Sequence, residues 1–193
     1  MKSPIAALLL LVTTLPFGHG PAKPSAGQAA NVFPGVLAGL VDQYGRGFDP
    51  GSVRGRLVLV NFIFTGCGST CPTQTAHLVQ LRRTLPAAVR DRLTILSISV
   101  DPANDDPATL RTYAKTMGIA DRRWRLLTGS LPDILRVTRA FAAIRPDVTS
   151  QALHSSEVRL FDARGRMLQR YSGAPLAAAQ LRADLMTLSG ARA

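Results

Sequence analysis

Two cysteines, Cys67 and Cys71, are the whole thiol content of this 193-residue chain. They stand in the stretch Phe64-Thr65-Gly66-Cys67-Gly68-Ser69-Thr70-Cys71-Pro72. A pair of this kind admits three chemistries: a structural disulfide, a dithiol redox couple, or part of a metal site. The spacing departs from the Cys-x-x-Cys of dithiol oxidoreductases by one residue. On a single helix, cysteines four apart hold their Cβ atoms about 5 to 6 Å from each other, wider than the roughly 3.8 Å of a relaxed disulfide. Two thiolates with metal–sulfur bonds near 2.3 Å tolerate a separation of about 4 Å, and soft Cu(I) or borderline Zn(II) suits them. Gly66 and Gly68 flank Cys67 and can hold it in a loop, where a disulfide closes without strain. The spacing therefore leaves all three chemistries open.

A metal site wants a third ligand, and the chain offers His19, His77 and His154. His19 falls in an N-terminal segment that export would remove. His77 is six residues past Cys71, about 240° further round a helix, and reads as a surface or structural histidine. His154 can be judged only once the elements around it are placed.

The run 57–64, Leu-Val-Leu-Val-Asn-Phe-Ile-Phe, is apolar on both alternating faces, which predicts a central strand covered on both sides. Thr65-Gly66 breaks it, and Pro72 fits a first helical turn. Ala76, Leu78, Val79, Leu81 and Leu85 then give a stripe at helical spacing. A second strand is expected over 93–100, stopped by Asp101-Pro102, with helices over 107–117 and 132–142 and a short strand at 125–127 between them. Segments 157–161 and 167–171 flank Asp162-Ala163-Arg164-Gly165 as a hairpin, and 175–188 closes the chain as an amphipathic helix. Upstream, 36–41 and 47–48 around Gln43-Tyr44-Gly45 suggest a lead-in hairpin.

This order is that of an α/β, thioredoxin-like three-layer sandwich with a lead-in hairpin and an inserted strand and helix. It puts the cysteines outside the carboxyl end of a central strand, at a helix start, where sites in open α/β sheets concentrate. Unpaired amides and the helix dipole favour thiolate there. The same architecture brings the loop of Leu153-His154-Ser155 against the cysteine helix, so His154 completes a two-thiolate, one-imidazole set suited to Cu(I) or Cu(II).

Lys2 followed by the apolar stretch 5–17 and the small residues after it reads as a secretory signal over 1–22, too short to span a bilayer. Residues 23–35 read as a flexible leader and 36–190 as one domain, placed in the periplasm or otherwise exported. The net charge of +11 comes mostly from arginine. The arginines are scattered and few aromatics interleave them, which argues against nucleic acid. Arg82-Arg83 and Arg122-Arg123-Trp124-Arg125 read as solvated faces, with docking on an acidic partner or an anionic membrane surface as the residual reading.

Several separated motifs occur in one order: Phe62-Ile63-Phe64-Thr65 running into Cys67-x-x-x-Cys71-Pro72; Ser97-Ile98-Ser99-Val100-Asp101-Pro102; Trp124 before Leu127-Thr128-Gly129; and His154-Ser155 before an apolar strand. Together they resemble the Sco/SenC family of copper chaperones, over most of the chain from Leu37 to Leu188. The resemblance implies copper held by Cys67, Cys71 and His154. Its expected partners are the binuclear copper site of cytochrome c oxidase subunit II, other copper carriers and thiol reductases. Asp101 matches an acidic residue of the family pattern and is expected to support the site or the fold. Gly68 stands where many relatives have proline, and Leu153 where aspartate is frequent, which removes a partner that would orient the imidazole. The competing reading is a thiol-disulfide oxidoreductase or peroxidase-like enzyme in which Cys67 attacks and Cys71 resolves.

Overall fold

The apolar run ahead of the cysteines forms strand β2, Leu57–Ile63, in which all seven residues are buried. The computed structural model describes residues 33–119, 121–143 and 155–190. Around β2 the elements are β1 Val41–Asp42, α1 Thr70–Thr84, α2 Ala87–Arg92, β3 Leu93–Ser99, α3 Pro107–Thr116, β4 Trp124–Thr128, α4 Leu131–Ala140, β5 Val158–Phe161, β6 Met167–Tyr171 and α5 Ala178–Leu188. The strands make one mixed sheet in the order β1-β4-β3-β2-β5-β6. Strands β2, β3 and β4 are parallel, with Leu57 opposite Leu93 and Ile95 opposite Trp124. Strand β5 pairs antiparallel with β2, and β6 with β5.

Both faces of β2 and β3 are covered, which is why these strands read as continuous apolar runs rather than alternating ones. One face packs Leu59, Ile63 and Ile95 against Leu78 and Leu81 of α1, Leu110 of α3 and Leu181 of α5. The other packs Val58, Phe62 and Ile98 against Ile134 and Val137 of α4. Phe33, in the segment that reads as leader, is buried on this second face and stacks on Phe161 with ring centroids 4.1 Å apart.

Several boundaries differ from expectation. The stretch 36–41 is not a strand: Gly35–Leu37 is a turn of 3-10 helix, and only Val41–Asp42 pairs, with β4, while Val41 also bridges to Gly47. Gly39, at φ +87°, interrupts the run, because a left-handed residue cannot continue a strand. The helix expected at 132–142 ends at Ala140, and Ala142 has φ +46°. The last helix starts at Ala178 instead of residue 175, after a bridge between Gly173 and Leu176. The short helix α2 lacks a readable stripe and was not expected. Within α1, Ala76 is exposed, and the buried face carries Gln74, Thr75 and Arg82 beside Leu78 and Leu81. Nor are the arginine clusters uniformly solvated. Arg82 is buried in an ion pair with Asp121, and Trp124 is 1% exposed, its indole N–H donating to Ser97 Oγ at 3.0 Å.

Candidate thiol site

Strand β2 ends at Ile63, and the chain turns through Thr65-Gly66 before Cys67, whose amide donates to the Phe64 carbonyl at 3.2 Å. Ser69 is the residue before α1, so Cys67 lies in the loop and Cys71 in the first helical turn. The two-on-one-helix geometry therefore does not apply. Instead the loop folds the Cys67 sulfur over the open end of the helix, where the Cys71 amide donates to Cys67 Sγ at 3.2 Å. Both cysteines are present as thiols.

The two thiols are electrostatically unlike. Burial works to raise the Cys67 pKa, but hydrogen bonds from the Cys71 amide and thiol and from the amides of Ser69 and Thr70 outweigh it, and the net displacement is downward. These are the donors a helix N-terminus leaves unsatisfied, and they stabilise a thiolate. Cys71 is 2% exposed, and its thiol is pushed up to about 12 by burial, then by its hydrogen bond to Cys67 and the nearby charges of Cys67 and Asp105. Burial also raises the Tyr113 phenol to about 12, and its hydroxyl lies 3.0 Å from Thr75 Oγ1.

Beneath the thiols sits Asp105, fully buried. Its carboxylate accepts from the Thr65 amide at 3.1 and 3.2 Å, from the Thr65 hydroxyl, and from the Ser99 hydroxyl. It thereby clamps the turn that presents Cys67 to the end of β3. Asp101, the acid singled out from the family pattern, instead accepts from Asn104 Nδ2 at 2.8 Å in an exposed turn. A signal for Asp105 was present in Asp105-Asp106-Pro107. Asp106 caps α3 by accepting from the Thr109 amide at 2.7 Å, which leaves its neighbour to turn inward.

A second polar chain crosses the sheet into α1. Trp124 Nε1 donates to Ser97 Oγ, Ser97 Oγ to Asn61 Oδ1 at 2.8 Å, and Asn61 Nδ2 to Gln74 Oε1 at 2.8 Å. Gln74 Nε2 then donates to the carbonyls of Ser156 at 2.5 Å and Gly173 at 3.2 Å. Gln74 lies one turn beyond Cys71, so this chain fixes the segment entering β5 against the cysteine helix. Gly173 must lack a side chain: a Cβ there would fall 1.6 Å from the Ser156 oxygen. Residue 155 is anchored as well, its amide donating to the Ala143 carbonyl at 2.6 Å.

The structure thus brings Cys67 and Cys71 together. His154 and Leu153 lie outside the described residues, as does His19. His77 is exposed, as a surface histidine should be, and lines a shallow cleft with Ser69, Thr73 and Pro175. Among the described residues no group of three or more His, Cys, Asp and Glu side chains is placed to hold a metal. No helix among them is long and apolar enough to cross a membrane.

Known proteins bear the same pattern. The SCO1/SenC family model matches residues 39–189. The SCO1 protein homolog of Bacillus subtilis is 34% identical over 136 residues, spanning 68% of this chain and 70% of that protein. The solved structure of BsSco, a member of the Sco family of cytochrome c oxidase assembly proteins in which a disulfide switch is identified, is 30% identical. It superimposes with a TM-score of 0.66 over 79% of this chain and 91% of that one. Copper-bound ScoI of Bradyrhizobium japonicum, 24% identical with a TM-score of 0.63 over 78% of this chain and 96% of that one, shares the fold. The thioredoxin-like α/β architecture, the order of the motifs and the match over most of its length place the chain in the SCO1/SenC family.

Proposed function

We propose that this chain is an exported copper-binding protein of cytochrome c oxidase assembly, in which Cys67, Cys71 and His154 hold the metal and deliver it to the binuclear copper site of subunit II. On this reading 1–22 is a signal removed on export, 23–35 a leader whose end already packs through Phe33 on the fold, and 36–190 the working domain. The observation that carries the proposal is the pairing of two thiols at a helix N-terminus with the Gln74–Ser156 hydrogen bond, which ties the backbone two residues after His154 to the helix that bears Cys71. Thiolates with one imidazole form a soft set matched to copper. The family setting agrees: BsSco is a member of the Sco family of cytochrome c oxidase assembly proteins, and a protein of the same fold was solved with copper bound. Transfer would proceed by ligand exchange, each departing thiolate of this chain being replaced on the metal by one from the target.

A second reading rests on the unlike thiols. Cys67, partly exposed and acid-shifted, would attack a target disulfide, forming a mixed disulfide and expelling one target thiolate. Cys71 would then give up its proton and attack the Cys67 sulfur, releasing the second target thiol and leaving a Cys67–Cys71 disulfide. Two electrons pass to the target. The two readings separate at His154, which copper needs and thiol exchange does not.

Copper titration of the reduced, chelator-treated protein tests the proposal, with His154→Ala and Cys67→Ser beside it. One equivalent is expected on the wild type, and both variants should lose affinity by at least tenfold. A wild type that takes up no stoichiometric copper overturns the proposal, and His154→Ala binding as tightly as wild type removes His154 from the ligand set.

A further inference from the structure

The parallel strands β2, β3 and β4 all begin at the edge of the sheet remote from Cys67, and arginine precedes each: Arg56 before β2, Arg92 before β3, Arg122 and Arg123 before β4. Because parallel neighbours start side by side, topology gathers onto one edge charges that look scattered in sequence. Two adjoining clefts open there. One, of about 500 Å³, has Arg83, Arg90 and Arg122 on its walls; the other, of about 240 Å³, is formed by Arg56, Arg122, Arg123 and Arg125 with Ser52 and Thr94. Arg122 belongs to both and is exposed.

The acidic residues on this edge are already engaged. Asp121 pairs with buried Arg82, and Asp91 with Arg123 at 2.8 Å. Among the described residues Arg83, Arg90 and Arg122 have no carboxylate partner. Arg56 finds none either: its Nε donates to Thr94 Oγ1 at 2.7 Å and its Nη2 to the Asp91 carbonyl at 2.6 Å. Crowding agrees with this, since burial and then the charges of Arg123 and Arg82 depress the Arg56 pKa. Guanidinium forks alongside the Thr94 hydroxyl, which accepts from Arg56 and keeps its own hydrogen to donate, present the donor geometry that phosphate oxygens take bidentately.

We infer that this arginine edge is a docking surface for anionic phospholipid headgroups, independent of the thiol site. Three features favour lipid over an acidic protein. The charge is spread over two open clefts rather than focused in one pocket. Val79, Ile119 and Trp124 floor the larger cleft but are buried or half-buried, and no exposed large apolar side chain rims either cleft to act as the anchor of a typical protein interface. And the ligand donors match phosphate. The consequence is orientation: β2 spans about 20 Å from this edge to Cys67, so a molecule seated on it carries its thiols on the side facing away from the membrane.

The test is vesicle binding of the full chain, comparing wild type with Arg83→Gln, Arg122→Gln and the double variant. Both side chains are exposed and have no carboxylate partner among the described residues, so the fold is not at stake. Any contribution of the N-terminal apolar stretch is the same in every variant. On vesicles of 30% phosphatidylglycerol in phosphatidylcholine each substitution should weaken binding about fivefold and the pair about 25-fold, with the effect fading at high salt. Binding to pure phosphatidylcholine and copper uptake should not change, which keeps this test separate from that of the thiol site. Equal affinity of the double variant for anionic vesicles overturns the inference. So does displacement of wild type by a few millimolar inorganic phosphate at constant ionic strength, which would mark a small-anion pocket. Arginine-dependent binding to polyglutamate without binding to vesicles would assign the edge to an acidic protein instead.

Discussion

Replacing Asp105 with asparagine tests the clamp beneath the thiols most directly. The substitution is nearly isosteric, so packing around a fully buried side chain is kept while its charge is removed. Three donors meet that carboxylate: the Thr65 amide, the Thr65 hydroxyl and the Ser99 hydroxyl. A hydrogen bond to an ionised acceptor contributes about 1 kcal/mol more than a neutral one, so the three together lose about 3 kcal/mol. Part of this is offset because a buried charge no longer has to be desolvated, and the net destabilisation should be about 1 to 2 kcal/mol. The same change removes a negative charge that helps hold the Cys71 thiol protonated, so the Cys71 pKa should fall from its value of about 12. Urea unfolding of the reduced, metal-free protein reads the first effect, and the pH profile of Cys71 alkylation in a Cys67→Ser background reads the second. If unfolding is unchanged within about 0.5 kcal/mol and the alkylation profile does not move toward lower pH, Asp105 neither clamps the turn nor acts on the thiols, and the account of the site is wrong.

The unlike thiols predict an order of modification. In reduced, metal-free protein at neutral pH, iodoacetamide should label Cys67 well before Cys71, as followed by peptide mass spectrometry; equal rates would contradict the burial and hydrogen bonding described. At the opposite edge, burial acts to raise the Asp121 pKa, but hydrogen bonds from the Arg123 amide and Arg82 hold it below the ordinary carboxylate value. A depressed folded pKa stabilises above the unfolded value near 4 and loses that stabilisation as pH falls through the folded one. Asp121→Asn should therefore cost about 1 to 3 kcal/mol at pH 7, because it strands buried Arg82, and should show a shallower loss of stability below about pH 4 than wild type in denaturant titrations.

What could be read from the chain alone follows a physical division. Strands β2 and β3 were legible because full burial on both faces writes itself as an uninterrupted apolar run, and the start of α1 because Pro72 and the stripe through Leu78 and Leu81 mark it. Polar burial was not legible. Gln74 is buried only because Asn61, Ser156 and Gly173 supply its partners, and those stand 13, 82 and 99 positions away. The same holds for Arg82, which looked like one of a solvated pair until Asp121, 39 residues on, came beside it. The family pattern points to Asp101, whereas Asp105 turns inward because its neighbour Asp106 takes the cap of α3. The basic edge is not legible in the sequence for a topological reason: its arginines are neighbours only once three strands run parallel.

The spacing of the cysteines takes its meaning from where the helix begins. With Cys67 in the loop and Cys71 in the first turn, one sulfur receives the amides at the helix end while the other is sealed beneath it. Cys67 is then the only thiol that an incoming metal or disulfide can meet as a ready nucleophile. Cys71 is held protonated chiefly by burial, then by its hydrogen bond to Cys67 and the charge there, so neutralising that charge makes its proton easier to lose. A bound cation neutralises it, and so does conversion of Cys67 to a mixed disulfide. Metal uptake and thiol exchange would therefore share one order of events, Cys67 first and Cys71 second, with a proton released at the second step. On this view the two proposed chemistries are alternative second steps from one preorganised state, and copper titration of His154→Ala tells them apart.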